Sequence, residues 1–141
     1  MNYRATVVTM PALLLAVCRA HTFPEGIKDA WNRLEAAKPS LKGRRFYGLT
    51  VCEGDKLAYY AAVEVTHDEE AAALGFPVLR VKGGPCARVK LRDWPKHVDE
   101  IGDIFADLMR RFTMAPDAPT VEYYRSQSEL HLLLPLAHKD E

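Results

Sequence analysis

The sequence predicts an α+β domain made of two β-α-β-β halves. Three observations carry that expectation. Runs of β-branched and aromatic residues, bounded by Gly, Pro and Asp, recur along the chain and mark strands. Two amphipathic stripes interrupt them, Ile27-Ala30-Trp31-Leu34 and Ile101-Ile104-Phe105-Leu108, each with apolar residues at i, i+3, i+4 and i+7. Finally, an offset of 74 residues lays one half on the other. It carries Pro11 onto Pro85, Ile27 onto Ile101, Leu34 onto Leu108, and Phe46–Cys52 onto Thr120–Ser126. A repeated supersecondary unit explains such matched element order. The expected organisation is one domain over residues 1–141, with pseudo-repeats at about 5–66 and 77–137.

Ala5 to Arg19 is rich in Val and Leu and reads as a long strand. Pro11 cannot donate a ladder hydrogen bond and marks a bulge, an edge or a break within it. His21-Thr22-Phe23-Pro24 opens the first helix, and Pro39 ends it. A basic, polar loop follows, Ser40 to Arg45. Phe46 to Cys52 and Leu57 to Thr66 are strands joined by the turn signal Glu53-Gly54-Asp55. His67 to Leu74, acidic and then Ala-rich, suits a loop or one helical turn. Phe76 to Val81 and Cys86 to Leu91 are extended, with Gly83-Gly84-Pro85 between them. Trp94-Pro95 opens the second helix, whose stripe runs from Val98 to Phe112. After the turn residues 115–119 come the strand Thr120 to Tyr124 and a last strand, Leu130 to Ala137.

The 141 residues suffice for one sizeable core. Lys plus Arg and Asp plus Glu number 19 each, so no global field exists to hold nucleic acid. Cys18, Cys52 and Cys86 are odd in number and far apart, which speaks against a disulfide framework and suits a cytoplasmic protein. The apolar stretch 7–17 is too short to span a bilayer. Five histidines, His21, His67, His97, His131 and His138, show no metal-ligand spacing. There is no phosphate loop, nucleophile elbow or dinucleotide fingerprint, and no cofactor is expected.

The residue that stands out is Glu122, an acid inside Thr120-Val121-Glu122-Tyr123-Tyr124. Burying a carboxylate costs several kcal/mol unless it is paired or protonated. Two places are open to it: a solvated face or strand edge, or the floor of an apolar pocket that awaits a cation. The 74-residue offset sets Gly48 against Glu122, so one half carries a carboxylate where the other carries no side chain. Tyr60 and Tyr124 are the main aromatic candidates for such a pocket, with Tyr47 behind them. Trp31 belongs to the core or to the pocket, and Trp94 gates the cleft or caps its helix. Glu64 is expected at a solvated or edge position.

Several stretches together resemble the GyrI-like small-molecule-binding domains, which also form the effector-binding half of multidrug-responsive transcription regulators. They are Met10-Pro11-Ala12, Trp31-Asn32-Arg33-Leu34, Phe46-Tyr47-Gly48, Tyr59 to Val65, Gly83 to Ala87, Glu122-Tyr123-Tyr124 and Leu132 to Leu136, spanning nearly the whole chain. The resemblance implies an SHS2-like duplication, a curved antiparallel sheet with helices on its outer face, and a central cleft for apolar, often cationic aromatic compounds. It places the family's cleft acid at Glu122. The chain departs from the family in having Ala61-Ala62 where a Gly is frequent, and Arg92-Asp93-Trp94 where another is common. It has no helix-turn-helix region and no basic helix, so direct nucleic-acid binding is not expected.

Three functions compete on this reading. The first is a stand-alone module that senses or sequesters hydrophobic, cationic aromatic compounds in a xenobiotic response. The second, implied by the resemblance, is a hydrolase of reactive cyclopropane-bearing compounds that uses Glu122 and Tyr60 with Trp31 or Trp94. The third is a protein-binding role of the gyrase-inhibitor kind.

Overall fold

The computed structural model describes residues 3–37 and 43–137. Eight strands form one antiparallel sheet: β1 (Thr6–Met10), β2 (Leu13–Arg19), β3 (Phe46–Glu53), β4 (Lys56–Glu64), β5 (Val78–Val81), β6 (Gly84–Arg92), β7 (Thr120–Tyr124) and β8 (Glu129–Pro135). Three α-helices accompany them: α1 (Ile27–Glu35), α2 (Asp68–Leu74) and α3 (Ile101–Arg111). Two short 3₁₀ turns, Trp94–Lys96 and Val98–Glu100, lead into α3 where the sequence suggested one continuous helix. Pro11 acts as a break: the expected long first strand is two strands on opposite sides of the sheet. Pro39, Ser40 and His138 lie outside the described residues.

The strand order is β1-β6-β8-β7-β3-β4-β2-β5. Exchanging β1 with β5, β2 with β6, β3 with β7 and β4 with β8 reproduces that order in reverse, so the sheet has the topology of two related halves. The 74-residue offset holds for the helices and for β3 onto β7, but not throughout. In β1, β2 and β4 the outward-facing residues match their counterparts at an offset of 71: Ala16 with Ala87, Cys18 with Val89, and Ala61 with Leu132. The two-residue crossover Pro11–Ala12 therefore corresponds to Lys82–Gly83, and the expected Pro11–Pro85 match does not hold. The 3₁₀ turns before α3 lengthen one half by three residues, and a shift between the β3–β4 and β7–β8 hairpins removes them again.

The crossovers also explain the curvature. β1 sits at one edge and β2 sits six strand intervals away, yet only two residues join them. Flat, those intervals would span about 29 Å at about 4.8 Å each, while the chain from Met10 to Leu13 reaches about 11 Å at most. The sheet must curl. Its inner face closes on a core drawn from both ends, including Met10, Leu15, Val17, Tyr47, Leu49, Val121 and Leu133.

Both long helices lie on the outer face, and strand register proves it. One row across the sheet runs Cys18–Ala61–Gly48–Glu122–Leu132–Val89. Directly opposed residues of antiparallel strands point to the same side. Cys18 and Ala61 pack with Ala30 and Leu34 of α1, and Leu132 and Val89 pack with Ile104 and Leu108 of α3. Burying each helix stripe supplies most of its stability. The centre of the row, between the two helices, is Gly48 and Glu122.

Candidate functional site

Gly48 and Glu122 are hydrogen-bonded neighbours on β3 and β7, and they are also related by the 74-residue offset. The local two-fold axis of the sheet therefore passes through this pair. An ordinary side chain at both positions would fill the axis. Here one half supplies a carboxylate and the other supplies space. A Cβ on Gly48 would come within 2.4 Å of the Tyr59 hydroxyl and 3.1 Å of Glu122 Oε1. The missing side chain is what lets the two polar groups share the well.

Above this pair, between α1 and α3, lies a cleft of about 590 Å³. Phe23, Pro24 and Ile27 line one wall; Trp94, Val98, Ile101, Phe105 and Met109 line the other. Thr50, Cys52, Leu57, Tyr59, Thr120, Glu122 and Tyr124 belong to its sheet side. The lining is overwhelmingly apolar, as expected of a small-molecule site with few polar groups. A second hollow of about 670 Å³ is lined instead by charged residues, among them Arg19, Glu25, Glu53 and Lys56.

Glu122 is 9% exposed. The Tyr124 hydroxyl donates to its Oε1 at 2.6 Å. No Lys, Arg or His forms an ion pair with it among the described residues. Burial pushes its pKa up, because desolvation disfavours the charged form, and the Tyr124 hydrogen bond pulls the other way without cancelling the shift. Tyr59 and Tyr124 are also raised, first by burial and then by the nearby Glu122 charge. The Trp31 indole N–H donates to the Tyr59 hydroxyl at 2.9 Å. The Trp94 indole N–H donates to the Ser126 carbonyl at 3.1 Å. Tyr124 lies between the two indoles, with ring centroids 5.2 Å from each in edge-on arrangements. One tryptophan from each half thus holds the tyrosine that holds Glu122.

Of the residues singled out in the sequence, Glu122, Tyr124 and Trp94 line this cleft and Trp31 buttresses it. Tyr60 and Tyr47 do not reach it. Alternation sends both to the inner face. Tyr47 stacks on Tyr123 at 5.0 Å, and burial pushes its hydroxyl up to about 12. Tyr60 joins a surface cluster, its hydroxyl 2.8 Å from Arg19 Nη1 and 3.0 Å from Glu53 Oε2. The tyrosine that belongs to the cleft is its neighbour Tyr59. A signal for it existed. The two-residue turn Gly54–Asp55 pairs Glu53 with Lys56, and counting back pairs Gly48 with Ala61, which places Tyr59 on the Gly48 side. Glu122 and Tyr60, the pair named for the hydrolase reading, lie on opposite faces of the sheet.

Among the described residues no group of three or more His, Cys, Asp or Glu could hold a metal ion, and no helix is long and apolar enough to cross a membrane. The three cysteines are free, Cys18 and Cys86 buried and Cys52 exposed.

This architecture, a curled antiparallel sheet with two outer helices flanking a cleft, is the GyrI-like fold. Solved structures share it at low sequence identity. A structure described as SAV2435 bound to tetraphenylphosphonium superposes with a TM-score of 0.76 at 16% identity, covering 95% of this chain and 94% of that one. An integron cassette protein from Vibrio cholerae gives 0.66 at 15% identity, covering 94% and 95%. The EcmrR C-terminal domain gives 0.62 at 12% identity, covering 96% and 98%. In EcmrR bound to DNA the similarity extends over 57% of that chain. No protein-family model and no curated protein matches the sequence.

Proposed function

We propose that this protein binds hydrophobic cationic aromatic compounds in the cleft between α1 and α3, with Glu122 as the counter-charge. One observation carries the reading: a buried carboxylate, without a cationic partner among the described residues, on the floor of an apolar cleft. A structure of the same fold is described with tetraphenylphosphonium, which supports the ligand class. At an effective dielectric near 20, a charge pair at about 4 Å is worth roughly 4 kcal/mol. Burying about 200 Å² of apolar ligand surface adds roughly 5 kcal/mol. Less the cost of immobilisation, this gives affinities on the order of micromolar. A cleft of this kind senses or sequesters its ligand, with broad specificity, because stacking and one charge do not define a single shape.

The test is a titration with tetraphenylphosphonium and with an uncharged aromatic analogue of similar size. Glu122→Gln keeps the shape and the Tyr124 hydrogen bond but removes the charge. It is expected to weaken the cation at least tenfold, about 1.4 kcal/mol, and the neutral analogue little. Equal losses for both would make Glu122 structural. Binding is also expected to release protons. The empty site has the higher pKa, and a bound cation lowers it. Affinity for the cation therefore falls as pH drops from the empty-site value toward the ligand-bound one.

A further inference from the structure

We infer that the β1 edge is a self-association surface, through which two copies of this chain pair antiparallel about Val7. The two ends of the curled sheet are treated differently. On the β5 side, α2 packs across β2 and β5, and Arg80 pairs with Asp68 at 2.7 Å. Such cover and charge are common protections of an edge strand. β1, Thr-Val-Val-Thr-Met, carries no charge, and its Val7 is 59% exposed, more than any other large apolar side chain among the described residues.

Among the described residues, the backbone shows which groups are free. Thr9 lies opposite Pro85 of β6, and Pro85 has no N–H while its carbonyl accepts from Leu136 on the other side. Thr9 and Pro85 are therefore a non-hydrogen-bonded pair. By alternation Ala5, Val7 and Thr9 direct their N–H and C=O groups to the free edge, while Thr6, Val8 and Met10 bond to β6. The run is closed at both ends. The Tyr3 carbonyl, next in phase, accepts from Arg111 Nη1 at 3.3 Å. Pro11, next in phase at the other end, has no N–H to offer. What remains is a window of three outward-facing residues centred on Val7.

Such a window is its own complement. In an antiparallel pair about a two-fold axis at Val7, Val7 faces Val7 of the second copy and Ala5 faces Thr9. Each of the three pairs exchanges two hydrogen bonds. The strand brings no charge into the contact, and the most exposed valine becomes covered. This is the isologous geometry of a C2 dimer, and it joins the two sheets edge to edge. A five-residue edge makes a small interface, so the dimer is concentration-dependent.

Sedimentation velocity across a range of concentration tests this. The mass is expected to rise from the 15.9 kDa monomer toward twice that value for the natural sequence. Val7→Lys sets like charges face to face and is expected to remain a monomer throughout, with an unchanged circular dichroism spectrum and unchanged cleft-ligand affinity. In a Cys52→Ser background, Val7→Cys places two thiols across the axis at about 5.5 Å between Cα atoms, within bridging range. Mild oxidation is expected to give a covalent dimer on a non-reducing gel. A natural sequence that stays monomeric at millimolar concentration overturns the inference. So does a dimer that survives Val7→Lys, or a Val7→Cys variant that does not cross-link. Capture of a foreign strand by a monomeric protein overturns it as well, since the edge would then serve another partner.

Discussion

Glu122 works against the fold's stability. Its pKa in the native state lies above the value it has in the unfolded chain, and the cause is burial. Between those two values the native state binds more protons than the unfolded state, so stability falls as pH rises through that window. Stability from the protonated form is fully present below the unfolded value and is lost by the time pH passes the folded one. Replacing the carboxyl by an amide removes this loss and keeps an acceptor for Tyr124. Glu122→Gln is therefore expected to melt higher than the natural protein at pH 7–8 and to lose that advantage near pH 4. Thermal melts at both pH values decide it. A variant less stable than the parent at neutral pH would mean that the carboxylate is compensated in the native state. On the proposed function, a bound cation would relieve that desolvation cost and so raise stability as it binds.

At the scale of elements, two glycines let strands and crossovers meet, and they differ in what they touch. A Cβ on Gly83 would fall 2.6 Å from the Ala12 amide nitrogen, 2.8 Å from the Met10 carbonyl oxygen and 2.8 Å from the Pro11 carbonyl carbon. All three are backbone atoms, of the opposite crossover and of the last residue of β1, so nothing can turn aside. Gly83→Ala is expected to cost about 3 kcal/mol, the upper end of overpacking, read from the urea midpoint. Gly48→Ala meets the end of the Tyr59 side chain instead, which can move. Its cost is expected to be smaller, about 1–2 kcal/mol, but it fills the well at the cleft floor. Loss of cleft-ligand binding with modest destabilisation is the expected result for Gly48→Ala, measured by the same titration and the same urea curve. The element scale is also where the sequence reading slipped. Helix stripes and the β3–β7 pair keep the offset of 74, while the outer strands follow 71. The compensating changes fall in the β6–α3 connection and in the hairpins, where strand alternation and not helical period sets the count.

For the whole molecule, the curl of the sheet follows from two crossovers of two residues each. It puts one core inside and leaves the cleft outside, between the helices. Positive and negative residues balance at 19 each, so phosphate contacts have no surplus field behind them. No shift is expected in a gel assay with duplex DNA or single-stranded RNA at micromolar protein and physiological salt. A shift that weakens steeply with added salt would reveal a local basic surface that the balance conceals. The element order, both helix faces and the anomaly at Glu122 were legible because each rests on local periodicity or on one residue type out of place. The aromatic partners were less so: Tyr59 and Tyr60 are chemically identical neighbours, and only pairing across β3 separates them.

The sequence by itself determined where the strands and the amphipathic helices lie, that the two halves correspond, and that Glu122 is anomalous. Those features depend on residues near one another in the chain. Tertiary structure alone decided that Pro11 sends its two strands to opposite sides of the sheet, that Trp31 and Trp94 meet on Tyr124, and that the void at Gly48 opens beside the Glu122 carboxylate. These depend on register, since a shift of one residue turns every side chain of a strand to the other face. They also depend on closure of the sheet, which brings together residues that no local pattern relates.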